Sequence, residues 1–251
     1  METDMKKASF YLSLSLLLTY HCTATTTQKN YPMIRDTRNM RGIVMFVNAQ
    51  NRIDITNGAF TAKTALENEF HWDIRMTNIN QTSSISNAID FKRRSKATTA
   101  IFFIDDNKLP SLTSCPDDGV AIINVAKLIN DNTEKRVANR RIATESLRAF
   151  AFSFGIGFSQ YKSVLMSPVK SIAELDIIPR KSFYPYDTIV SLRTIAESLG
   201  LMPYADVYYE TACMEGWAPA PTNDIQRAIW DRVHAVPKNP MKIEFDPKKG
   251  R

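Results

Sequence analysis

The spacing of apolar residues changes several times along this chain, and each change marks an element. Gly42 to Ala49 (GIVMFVNA) and Thr99 to Ile104 (TAIFFI) are short unbroken apolar runs, which predict strands covered on both faces. Between them, Phe60, Ala62, Ala65, Leu66 and Phe70 recur at helical spacing, Trp72 to Ile79 alternates like a strand with one polar face, and Ile85 to Lys96 is a helix with a basic outer face. Asp118 to Leu128 (DGVAIINVAKL) predicts another strand, directly ahead of a long helix starting near Asp131. Asp131 and Glu134 have the spacing of a capping box, and Gly155 stands where a residue tolerant of positive φ usually ends a helix. The first turns of this helix carry Lys135, Arg136, Arg140 and Arg141, whereas Leu147, Ala149, Phe150, Ala151, Phe152 and Phe154 make its last turns apolar almost all round. Its C-terminal end is therefore expected in the core. Ser171 to Ile178, Thr188 to Leu199 and Thr222 to Ala235 predict further helices. The fold class expected is α/β, with a mixed, twisted sheet, a central helix and a helical C-terminal subdomain.

Length and composition set the domain count. A chain of 251 residues that is 44% hydrophobic buries one substantial core, so one domain with terminal extensions is expected. Only 8 glycines argue against a solenoid or a loop-dominated all-β protein, and no repeat recurs at a fixed period. At the N-terminus, Lys6 and Lys7 precede an apolar run, Ala8 to Tyr20, too short to span a bilayer comfortably, and Cys22-Thr23-Ala24 offers small residues for cleavage. Residues 1–24 therefore resemble an export signal, implying a periplasmic or secreted protein without a stable membrane span. Lipid attachment at Cys22 is disfavoured because Thr19, Tyr20 and His21 precede it with no small residue directly before it. Residues 25–41 are polar and aperiodic, a linker; the domain proper is expected over 42–201, followed over 202–251 by loop, a short helix and an extended basic tail.

Arg148 to Phe158, RAFAFSFGIGF, resembles the metzincin zinc-protease pattern H-E-x-x-H-x-x-G-x-x-H, with Gly155 in register, and Met166 in VLMSP falls at the methionine turn of that family. The order of elements over Gly42 to Leu201 resembles the N-terminal half of a metzincin, and the archaemetzincin-like branch most of all. The three positions that the resemblance assigns to zinc ligands are Arg148, Phe152 and Phe158, and the general-base position is Ala149. Neither phenylalanine offers a lone pair, and a guanidinium repels a cation, so no zinc, other cofactor or catalytic residue is expected there. Glu145 stands one turn before Arg148, at ion-pair spacing. The resemblance also implies a sheet-edge strand that pairs with an extended substrate, which falls here on Val120, Ala121, Ile122, Ile123, Asn124 and Val125.

Other chemistry is sparse. The histidines are His21, His71 and His234, and none makes a helical metal pair or partners a nucleophile. Cys115 and Cys213 lie in loop-like sequence, where an oxidising compartment leaves both a disulfide and two free thiols open. Asp105 and Asp106 end a strand, where paired carboxylates either hold a cation or solvate and cap a loop, the commoner use. The net charge of +6 is spread over Lys92 to Lys96, Lys135 to Arg141 and Lys248 to Arg251 without interleaved aromatics, which excludes a nucleic-acid stripe. Two functions follow: an inactive, exported metzincin-like module that binds an extended peptide or protein, or a hydrolase with relocated ligands such as Asp105, Asp106 or Glu174.

Overall fold

The computed structural model describes residues 32–52, 54–80, 84–106, 108–161, 164–179 and 183–235. The proposed export signal and the basic tail, 236–251, lie outside them. The chain divides into two compact units. The larger, Arg35–Asp206, holds a five-stranded sheet in the order β3-β2-β4-β6-β5. Its strands are β2 (Val44–Asn48), β3 (Ile74–Asn78), β4 (Thr99–Ile104), β5 (Leu112–Cys115) and β6 (Val120–Asn124). The first four in spatial order run parallel, and β5 alone is antiparallel, against β6.

The unbroken apolar runs are explained by what covers the sheet. Val44, Phe46, Ile101, Phe103, Ala121 and Ile123 face one core with α1 (Thr56–Phe70) and α3 (Lys135–Ser153). The alternate residues Val47, Ala100, Phe102, Ile104, Val120 and Ile122 face a second core with α2 (Ile85–Ser95). Strands with helices on both sides have no polar face to show. α2 fully buries only Ala88 and keeps Lys92, Arg93 and Arg94 at its C-terminal end, where cations favour the helix dipole. On the other side α1 and α3 approach closely across Gly58: a Cβ there would stand 2.7 Å from the Asn139 carbonyl oxygen and from Ile142 Cβ. Phe70, Trp72, Phe150 and Phe154 fill the far end, with Phe70 stacked on Trp72 at 4.5 Å. After the sheet come α4 (Ile172–Ile177) and α5 (Tyr186–Ser198). Asp176 on α4 accepts hydrogen bonds from both Arg140 and Arg141 of α3.

The smaller unit contains, among the described residues, 32–34 and 207–235. Tyr209, Cys213 and Ile229 make its core with Trp230 and Val233, from α6 (Tyr209–Met214) and α7 (Asp224–Ala235). β1 (Met33–Asp36) and β7 (Ala205–Tyr208) pair as a two-stranded sheet.

Several expectations need correction. Val120–Asn124 is not a sheet edge: β5 pairs along it, every residue of β6 is buried, and Val125 already belongs to a 3-10 turn. The edge is Leu112–Cys115, a four-residue strand between Pro110 and Pro116 whose sequence, LTSC, is too short and too polar to show a period. α3 starts at Lys135, with Glu134 as an N-cap that makes no side-chain bond. The preceding turn is closed instead by Asn130 and Thr133, whose Oγ1 accepts from the Asn130 amide at 2.9 Å. Within the expected linker Met33–Asp36 is a strand, and β7 and α6 occupy a stretch expected to be loop. Of the two states left open for Cys115 and Cys213, the structure has the free thiols.

Candidate binding cleft

The last turns of α3 form the floor of the candidate site. Leu147 to Ser153 is buried throughout, and the helix then stops on a Schellman motif. The Gly155 amide bonds the Phe152 carbonyl at 3.0 Å and the Ile156 amide bonds that of Ala151 at 3.1 Å, with Gly155 at φ +78°, where a side chain would be strained. The chain that leaves this stop carries Phe158 and returns through a tight turn at Met166. Met166 is buried, and its carbonyl accepts the Ser159 amide at 2.8 Å. Ser167 closes the turn: its amide bonds the Val164 carbonyl at 3.0 Å and its hydroxyl accepts the Val164 amide at 2.9 Å.

A cleft of about 360 Å³ opens above this floor, between Leu112 and Ser114 of β5 on one side and Phe158 and Val169 on the other. Arg148 and Phe152 line it from α3, so all three expected ligand positions come together. They converge on one another. The guanidinium of Arg148 lies 5.6 Å from the centre of the Phe152 ring, and Phe152 meets Phe158 edge-on at 4.9 Å. Arg148 is 2% exposed, yet Phe158 is 60% exposed, so the group runs from the core to the lip of the cleft. Ala149 faces the core and does not line the cleft.

Arg148 is held from two directions. Its Nη1 donates to the carbonyls of Leu165 and Ser167, at 2.8 and 2.6 Å, one on each side of Met166. Its Nε stands 2.8 Å from Oε2 of Glu145, in the expected i, i+3 ion pair; neither atom completes an aligned hydrogen bond, so charge and contact hold them. Burial pushes the Glu145 carboxyl above its usual range, and the Arg148 charge offsets only part of that. These residues do not fit a zinc ion: a guanidinium and two phenyl rings offer no ligand atom. Among the described residues no group of three or more His, Cys, Asp or Glu is placed to hold a metal. The acids considered as relocated ligands have structural partners elsewhere. Asp105 pairs with Arg52, Asp106 accepts the Lys108 amide, and Glu174 caps the start of α4 by accepting the Lys170 amide at 2.6 Å.

The wall formed by β5 matters for binding. The Asn124 amide donates to the Ser111 carbonyl at 2.8 Å, which fixes the phase of the antiparallel ladder: Thr113 and Cys115 exchange hydrogen bonds with β6. Leu112 and Ser114, the residues that line the cleft, therefore turn their N–H and C=O groups to the free edge. Composition gives no hint of this strand, but Pro110 and Pro116 mark its ends. The carbonyls of Leu165 and Ser167, the partners of Arg148, have no side-chain signature at all.

No protein-family model matches the sequence, and no curated protein sequence does. Solved structures do match. A zinc-dependent peptidase from Methanocorpusculum labreanum (strain Z) is 15% identical, with 60% of this chain covering all of that one at a TM-score of 0.50. The archaemetzincin of Methanopyrus kandleri is 14% identical over 64% of this chain and 98% of its own, at 0.49. That of Archaeoglobus fulgidus, complexed with malonate, is 12% identical over 60% and 99%, at 0.43. At these identities the likeness concerns the fold alone, and the fold shared with the Methanocorpusculum structure is α/β, here a mixed sheet with helices as the sequence led us to expect.

Proposed function

We propose that this chain is an exported module that binds an extended peptide in the cleft and does not hydrolyse it. The observation that carries the reading is the free edge of β5, where the backbone groups of Leu112 and Ser114 face the cleft and suit a peptide that adds as a further strand. An exposed Phe158 opposite that edge offers an apolar surface to a bound side chain. The structural neighbour in Methanocorpusculum is a zinc-dependent peptidase, an enzyme that accepts polypeptide, and this supports a peptide as the occupant. The loss of hydrolysis rests on Arg148, Phe152, Phe158 and Ala149 at the ligand and base positions. Export rests on residues 1–24. No helix among the described residues is long and apolar enough to cross a membrane.

The test is elemental mass spectrometry of the purified protein, run beside cleavage and capture assays on a pooled peptide library. The reading expects no stoichiometric zinc, no cleavage, and retention of a subset of peptides that N-methylation of alternate backbone amides abolishes. Cleavage that depends on a bound metal would overturn it in favour of a hydrolase.

A further inference from the structure

We propose that Arg148 is the positioning residue of the cleft: its guanidinium, without a metal ion, ties the floor helix to the methionine turn and so fixes the wall opposite β5. The contacts form a continuous path. Nη1 of Arg148 holds the carbonyls on both sides of Met166, at 2.8 and 2.6 Å, and the Met166 carbonyl in turn holds the Ser159 amide, the residue after Phe158. On its other side the same guanidinium packs against Phe152, whose ring supports Phe158 edge-on. Phe158 is thus reached from Arg148 along two routes, one through backbone hydrogen bonds and one through side-chain contacts by way of Phe152.

The chemistry suits this role. A planar guanidinium presents several N–H donors in fixed directions, so one residue spans two carbonyls and faces a carboxylate, which a single ammonium group cannot reproduce. Glu145 supplies the compensating charge from the same helix, so the methionine turn itself needs no acid. At 2% exposure the carbonyl bonds are shielded from competing water. Phe158 needs such a hold: it follows Gly155 and Gly157, and a Cβ at Gly157 would meet nothing within 4 Å. The segment has few packing restraints of its own. The positions that the metzincin resemblance assigns to metal ligands therefore remain a structural hub, with the cation built into the chain.

The experiment is amide hydrogen exchange with and without a chelator. In the parent protein the amides of Ser159, Val164 and Ser167 should be protected, and prolonged EDTA treatment should leave them so. The double variant Arg148→Met, Glu145→Leu removes the pair together, an exchange that buried ion pairs commonly tolerate without unfolding. It is expected to keep the slow exchange of Ile101 and Ile122 in the sheet, while those three amides exchange at least about tenfold faster, the size of a lost hydrogen bond to a charged group. Arg148→Lys keeps the charge but not the span, and should fall between parent and double variant even where the double variant folds poorly. Faster exchange of the parent in EDTA, or unchanged protection at Ser159 in Arg148→Lys, would overturn the proposal. No peptide enters these measurements, so the outcome is separate from that of peptide capture.

Discussion

The two halves of α3 carry arginine–carboxylate pairs built in opposite ways. Near its start Arg140 and Arg141 converge on Asp176, with side chains 15–27% exposed. Arg141 grips the carboxylate with two prongs, Nε to Oδ1 at 3.0 Å and Nη2 to Oδ2 at 2.7 Å. Aligned hydrogen bonds win there, chiefly those of Arg141, and hold Asp176 below its usual range despite some desolvation. Near its end Arg148 meets Glu145 with both side chains 2–3% exposed, Nη1 is committed to carbonyls, and burial pushes Glu145 upward. The same two functional groups yield opposite shifts because water is within reach of one pair and absent from the other. The outer pair fastens one helix to another, whereas the inner pair makes a charged donor available to backbone deep in the core.

The comparison can be broken most severely at its buried end. Arg148→Met leaves the buried Glu145 carboxyl and the Leu165 and Ser167 carbonyls without their partner, and should cost about 3–5 kcal/mol. For a domain of this size that lowers the melting temperature by roughly 6–20 °C in a thermal scan. A drop no larger than that of a surface variant would mean that the pair is dispensable.

Acidity should then separate the two carboxylates. Glu145 has a folded pKa above its ordinary 4.5, so between the two values the folded state binds more protons than the unfolded one. Its contribution is fully present below 4.5 and is lost as pH rises through the folded value. Asp176 has the opposite sign. Its folded pKa lies below 3.8, so its contribution is present above 3.8 and is lost as pH falls through the folded value. Urea titrations at several pH values should show the Glu145→Gln variant lacking the loss on the alkaline side of 4.5, and Asp176→Asn lacking the loss on the acid side of 3.8. At neutral pH Asp176→Asn should cost only about 1 kcal/mol, and less in high salt, since the pair is partly exposed. The smallest effect on folding belongs to Phe158→Ala. At 60% exposure it should change stability by less than about 1 kcal/mol while removing most peptide capture, measured by fluorescence polarisation with a retained peptide.

Much of this was legible in the sequence, for reasons that differ by residue. β2, β4 and β6 announce themselves because two-sided burial confines polar residues to one end of each strand, Asn48 in VMFVN, Thr99 in TAIFFI and Asn124 in VAIIN. Gly155 was legible because the helix stop needs φ +78°, and Glu145–Arg148 because helical spacing brings them together. β5 was not: a four-residue edge strand takes its structure from the ladder with β6 and leaves no period in LTSC. With β5 unseen, the edge was assigned one strand too far inward. The partners of Arg148 were invisible for another reason, since a carbonyl is common to every residue and only the returning chain selects Leu165 and Ser167.

The shortness of β5 sets a ceiling on how tightly its backbone can hold anything. Between Pro110 and Pro116 only Leu112 and Ser114 turn outward, and each offers one amide and one carbonyl. At about 1 kcal/mol per net hydrogen bond, such a grip supplies roughly 4 kcal/mol, which by itself corresponds to a dissociation constant near 1 mM. A ligand retained in the micromolar range must find the remaining several-hundredfold in its side chains. Selectivity in this cleft is then decided by what packs against Phe158 and Val169, while the strand edge supplies register and direction.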